Sequence, residues 1–256
     1  VPFTFTHTLT NTGTGVDTYT VTAGLPEGWS VNPVDPLTLD SGMTTTFDLE
    51  VLPAATAISG TVGDIVVTAT SHYSPTIFDT EVNTVTISRT RGVTLAPDHS
   101  DTVGAGETSI TYVHTLTNTG NYTETVVLAA ESSLGWDVAF DPPVSSVEVG
   151  PFATTPVAIQ LTIPEDSGGL TDKTTITATL EGTSLVDTAQ DVTEVAVDCS
   201  AALDPTLQSE TVPAGASVVY THTLTNLGNT ACTFVLGHER VHVDRYPQRK
   251  ANGGKI

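Results

Sequence analysis

A nine-residue motif returns about every hundred residues, and apolar residues alternate with polar ones at a period of two. Together these predict an all-β chain of tandem immunoglobulin-like antiparallel β-sandwich domains. A third observation agrees: no stretch of comparable length places its apolar residues at helical spacing.

The motif reads THTLTNTGT from Thr6, VHTLTNTGN from Val113 and THTLTNLGN from Thr221, so His7, His114 and His222 stand 107 and 108 residues apart. Gly28-Trp29 and Gly135-Trp136 are 107 residues apart, and Asp35-Pro36 and Asp141-Pro142 follow each of them. A repeat of this length is the size of one sandwich domain, not of a solenoid turn. In the first unit the strands predicted in order are Phe5–Leu9, Tyr19–Ala23, the alternating run Phe47, Leu49, Val51 that stops at Pro53, Ile65–Thr70 and Thr84–Ser88. The second unit carries a leader, GVTLAPDHSDTVGAGETS, ahead of Tyr112–Leu116. It continues with Thr123–Ala129, the run Val157, Ile159, Leu161, Ile163 that stops at Pro164, Thr174–Leu180 and Thr193–Val197. The third supplies its own leader, SAALDPTLQSETVPAGAS, then Tyr220–Leu224 and little more. The units therefore run 1–90 without a first strand, 91–198 complete, and 199–237 as the truncated start of a third; 238–256 is an anomalous tail.

Five of the eight basic residues, Arg240, Arg245, Arg249, Lys250 and Lys255, fall in that tail, opposed only by Glu239 and Asp244. The alternation stops at Gly237, which reads as a frameshift or fragment end in the source DNA. The net charge of -21 and pI near 4.2 exclude nucleic-acid phosphates and anionic lipid as partners. With no long apolar run, no membrane insertion is expected in this segment. The opening VPFTFTHTLT lacks the regions of a signal peptide, which places any targeting signal outside this stretch. Cys199 and Cys232 are too few for a disulfide-stapled scaffold and are not spaced as CxxC; they leave the redox compartment undetermined.

Each motif strand puts its histidine on one face with an aromatic or leucine: His7 with Phe5 and Leu9, His114 with Tyr112 and Leu116, His222 with Tyr220 and Leu224. Such histidines read as hydrogen-bonded core or core-edge residues, not metal ligands. His72 and His99 do not recur and show no clear partners. Asn11 and Gly13, Asn118 and Gly120, and Asn226 and Gly228 close the strand each time as a turn, in which Asn bonds its own backbone and Gly tolerates positive φ. Trp29 and Trp136 read as core anchors, with sugar stacking as the alternative. Thr6, Thr8, Thr10 and Thr12, with Thr115, Thr117 and Thr119, form a solvated face. The sequon Asn121-Tyr122-Thr123 is a short pattern that arises by chance, and Asp98, Asp101 and Glu107 lack EF-hand spacing.

His238, Glu239 and His242 spell HExxH, in which two histidines one helical turn apart bind zinc and the glutamate acts as general base. The helix it needs is contradicted by Gly237, Val241, Val243 and Pro247, and no third ligand follows, so the match reads as chance. No nucleophile elbow, phosphate loop or cysteine–histidine pairing is present, and neither a catalytic residue nor a cofactor is expected.

The Tyr-x-His-Thr-Leu-Thr-Asn-Thr-Gly-Asn strand and turn, the Gly-Trp about fifteen residues on and the Pro-terminated alternating strand resemble tandem repeats of bacterial and archaeal surface proteins. The style is that of CARDB-type adhesion repeats and alpha-galactosidase-associated repeats, over residues 1 to about 236. The resemblance implies an extracellular or cell-surface, non-catalytic array: a stalk, spacer or adhesive module. Its partners would be neighbouring repeats and a cell-wall or extracellular polysaccharide or protein. The alternatives are an accessory carbohydrate-binding module of a glycoside hydrolase and, through the HExxH match, a zinc peptidase fragment.

Overall fold

The structure, a computed structural model, describes residues 2–238, and every regular element among them is a strand. The first unit contains β1 (Phe3–Thr10), β2 (Asp17–Gly24), β3 (Ser30–Val31), β4 (Leu37–Leu39), β5 (Thr44–Leu52), β6 (Val62–Ser71) and β7 (Phe78–Thr86). They form two sheets, ordered β1-β5-β3 and β4-β2-β6-β7. Period-two patterning decides which side chains face the gap: Leu49 and Val51 of β5 are buried while Asp48 and Glu50 look outward. They meet Val21, Ile65, Val67, Val85 and Trp29 in one core.

The second unit contains β8 (Val93–Ala96), β9 (His99–Val103), β10 (Ser109–Asn118), β11 (Glu124–Ser132), β12 (Val138–Phe140), β13 (Ser146–Val149), β14 (Thr154–Thr162), β15 (Thr171–Leu180) and β16 (Val186–Val195). Its sheets run β12-β14-β10-β8 and β13-β11-β15-β16-β9. Leu116, Val126, Ile159, Ile176 and Leu180 lie between them with no exposed surface. The leader divides between the sheets. Its first half, β8, pairs antiparallel with β10; after Pro97 its second half, β9, pairs parallel with β16. That pair is the departure from an otherwise antiparallel fold. In the third unit β17 (Ala201–Asp204) pairs with β18 (Thr223–Asn226), both exposed.

Two predicted strands are displaced. Thr84–Ser88 lies at the end of β7, and Thr193–Val197 overlaps the end of β16. Both strands are rich in acids and threonine, and β16 turns one acid, Asp191, into the core at mid-strand, so apolar alternation does not mark where either strand starts.

Candidate functional site

Each motif strand ends in the same side-chain turn. Asn11, Asn118 and Asn226 accept through Oδ1 from the amides of Gly13, Gly120 and Gly228, at 2.9, 2.9 and 3.0 Å. Through Nδ2 they donate to the carbonyls of Gly15, Tyr122 and Thr230, at 2.8, 2.8 and 2.7 Å. The glycines are not there for positive φ, which none of the three adopts. Two of them, Gly120 and Gly228, are there for close approach: a Cβ on Gly120 would lie 2.5 Å from the Thr90 carbonyl oxygen, and one on Gly228 would lie 2.1 Å from that of Asp198. Thr90 and Asp198 are linker residues of the preceding unit, so the motif turn is where one domain meets the last.

The next residue closes the joint. Asn121 accepts through Oδ1 from the Thr90 amide at 2.8 Å and donates through Nδ2 to the Ser88 carbonyl at 2.9 Å. Its backbone carbonyl accepts from the Ser59 amide at 2.8 Å. One repeat later Asn229 does the same with the Asp198 amide (2.8 Å), the Ala196 carbonyl (2.8 Å) and the Gly168 amide (2.9 Å). Asn121 is therefore almost fully buried, which removes its side chain as a glycosylation acceptor in the folded chain. Both asparagines escape a reading of the motif as a local turn. The signal available in sequence was that Asn121 and Asn229 follow the motif glycine in the second and third units, whereas Thr14 follows Gly13 in the first.

A second contact staples each joint. At the first, Arg89 grips the buried Glu124 with two bonds, Nε to Oε1 at 3.1 Å and Nη2 to Oε2 at 2.6 Å, and Arg91 lies 3.5 Å from the same carboxylate. The Arg89 guanidinium also sits 4.1 Å over the Tyr122 ring. At the second joint, the positions 108 residues beyond Arg91 and Glu124 are Cys199 and Cys232, and they form a disulfide.

Of the recurring histidines, His7 and His114 are core residues with different partners, whereas His222, expected to be one, is exposed. His114 has no exposed surface; its Nδ1 faces the Pro97 carbonyl at 2.8 Å and its Nε2 faces Asp191 at 3.0 Å. The Pro97 carbonyl can only accept, so Nδ1 carries a proton, and Nε2 meets the Asp191 carboxyl, a contact that favours positive charge on the ring. Burial works against that charge, but the Asp191 hydrogen bond and charge, the Pro97 carbonyl and Asp98 outweigh it and hold the pKa above the usual histidine value. His99 does have partners, contrary to expectation: its Nδ1 lies 2.9 Å from Asp191, and its ring packs edge-on against His114 at 4.9 Å. His72 likewise meets Thr20. In the first unit the Asp191 position is Asn83, 3.0 Å from His7 Nε2, while Nδ1 turns to Glu81 at 3.1 Å. His222 is exposed and keeps only the proline contact, to the Pro205 carbonyl at 2.8 Å.

The tryptophans also diverge. Trp29 is buried in the first core and its six-membered ring packs against Gly63, where a Cβ would come within 2.6 Å of it. At the matching place in β15 stands Asp172, fully buried and bonded by Ser132, Ser133, Thr174 and the Leu134 amide. Burial alone would raise its pKa, but those four donors hold the carboxyl below its ordinary value. Trp136, denied that floor, is half-buried on a satellite cluster of Val103, Ile163 and Val195. The exposed aromatics at one end of the first unit are Tyr73 (87%) and Phe78 (61%); the second unit has Val186 and a loop without aromatics in their place.

His238 is the last described residue and is exposed; Glu239 and His242 lie outside the described residues. Asp98, Asp101 and Glu107 are all exposed.

No family model matches the chain, and no curated protein matches it. Solved structures similar to it include Salmonella alpha-2-macroglobulin reacted with methylamine, at 15% identity and a TM-score of 0.32, covering 67% of this chain and 11% of that one. The Pseudomonas aeruginosa CupB2 chaperone is similar at 11% identity and 0.27, covering 73% and 91%, and the E. coli chaperone DraB at 12% and 0.24, covering 75% and 88%. The chain thus spans only about a tenth of the length of the macroglobulin.

Proposed function

We propose that this chain is a non-catalytic segment of an extracellular or surface protein that acts as a stiff stalk or spacer. The observation that supports it is the joint, which recurs bond for bond at two successive boundaries through Asn121 and Asn229. A linker that only tethers domains needs no such repeated socket; a rod does, because its reach depends on every joint taking the same angle. Strands of ten residues, such as β10 and β15, give each domain about 30 Å of length at ~3.3 Å per residue. The acidic surface keeps neighbouring rods apart. The Cys199–Cys232 bridge fits an oxidising compartment. A repeat-borne sugar platform is disfavoured, because Trp29 is buried, Trp136 is half-buried, and Tyr73 and Phe78 do not recur.

Small-angle scattering of the intact chain and of Asn121→Ala tests the reading. The parent should scatter as one extended, rigid particle, and the variant should broaden into a bent ensemble while each domain stays folded by circular dichroism. A parent chain that is already flexible at the first joint, or a variant that scatters identically, defeats the proposal.

A further inference from the structure

We propose that His99, His114 and Asp191 form a binding site for a zinc-class divalent ion that ties the leader of the second unit to both of its sheets. Among the described residues this is the one group of three in which His, Cys, Asp or Glu side chains converge, each offering a ligand atom within 4.8 Å of the others. The three come from separate elements: His99 opens β9, His114 lies mid-strand in β10, and Asp191 lies in β16. Two of the three are fully buried, and His99 is 26% exposed, which leaves one path from solvent.

The orientation is that of a ligand set. The Nδ1 of His114 is engaged by the Pro97 carbonyl at 2.8 Å, which fixes the ring so that Nε2 points to the centre. A metal-bound imidazole is held in this way, by a backbone carbonyl on its other nitrogen. Asp191 directs one oxygen to each ring, at 2.9 and 3.0 Å. An ion entering there takes the place of the direct contacts between the rings and the carboxylate, with each ring nitrogen binding it through a lone pair. Two imidazoles and one carboxylate suit zinc, cobalt or nickel and not calcium or magnesium, which take oxygen ligands. The neighbouring units supply a control. The residue 108 positions beyond His99 is Leu207, and Asn83 of β7 occupies the place of Asp191. Neither other unit holds the set, so the site belongs to the second unit alone.

The test is calorimetric titration of zinc into the chelator-treated full chain at pH 8, with His238→Ala and His242→Ala introduced to silence the tail. One equivalent should bind and raise the melting temperature of the second unit. His99→Leu, which installs the residue the third unit carries, and Asp191→Asn, which installs that of the first, should each weaken binding by more than about tenfold. The two substitutions fail independently, so a variant that does not fold leaves the other to decide. No heat and no melting shift with zinc, or binding undiminished by either substitution, overturns the site.

Discussion

The two joints of this chain share one asparagine socket and differ in how they are stapled. In the first, the linker is held by a fork of charge from Arg89 and Arg91 onto Glu124; in the second, the same two positions as Arg91 and Glu124 are joined covalently as Cys199 and Cys232. Because the staple changes chemistry while the socket does not, the socket sets the geometry and the staple sets how hard the linker is to peel away. The first joint lies between two packed sandwiches and can rely on an ion pair whose acid is buried. Behind the second, β17 and β18 are exposed and bring no core of their own, so a covalent tie between Cys199, ahead of β17, and Cys232, after β18, closes that short unit on itself beside the socket.

The sharpest separation of the joints is by reductant. Opening Cys199–Cys232 releases a loop of 33 residues, which should cost the third unit about 2–4 kcal/mol, and the first joint should not notice. Hydrogen exchange with and without a phosphine reductant reads this directly: amides near Leu227 and Asn229 lose protection, whereas those of Thr119 and Asn121 keep it. Equal loss at both joints would mean that the second staple supports the whole array and that the joints are not independent.

Next in size is the glycine that lets linker and turn touch. Gly120→Ala pushes a methyl group to 2.5 Å from the Thr90 carbonyl, a backbone atom that cannot swing aside, and should destabilise the chain by about 1–3 kcal/mol. Gly13→Ala is the internal control. Its methyl meets only the Asn11 side-chain oxygen at 3.1 Å, so the cost should be under about 1 kcal/mol. Denaturant melts of the two variants should therefore rank Gly120 well above Gly13; equal losses would return the glycines to a purely local turn role.

The same contrast between local and distant causes decides how much was legible in sequence. Fold class followed from the 107-residue recurrence and from strands such as β5 and β14, where alternation is clean and one face is buried. The Asn turn followed too, since Asn11, Asn118 and Asn226 bond within four residues of themselves. What did not follow depends on a partner far along the chain. Trp29 and Trp136 share a register, yet their burial is set by Gly63 and Asp172. His99 looked unpartnered because Asp191 is 92 residues away, on a strand whose polar face hid its own beginning. Asn121 looked like the last letter of a turn because its partners belong to the previous domain. The cysteine pair was visible, but its equivalence to an ion pair appears only once both joints are superposed by register.

The smallest effect comes from weakening the ionic staple without emptying its place. Glu124→Gln keeps shape and one carbonyl acceptor for Arg89 Nε but sets an amide against Nη2, where the carboxylate accepted at 2.6 Å. A hydrogen bond to a charged group contributes about 1.5–3 kcal/mol. Arg89 is a third exposed and can turn toward water while keeping its stack on Tyr122, so the net loss should fall to about 1–2 kcal/mol. The loss should appear as weaker protection of linker amides 88–92, with the cores of both sandwiches unchanged. Replacing the pair by the second joint's chemistry, Arg91→Cys with Glu124→Cys, sharpens the point: if the staples are interchangeable devices on one socket, the double variant should form the bridge under air oxidation. The first joint would then become as sensitive to reductant as the second. A double variant that stays reduced would show that the two linkers approach their sockets differently after all.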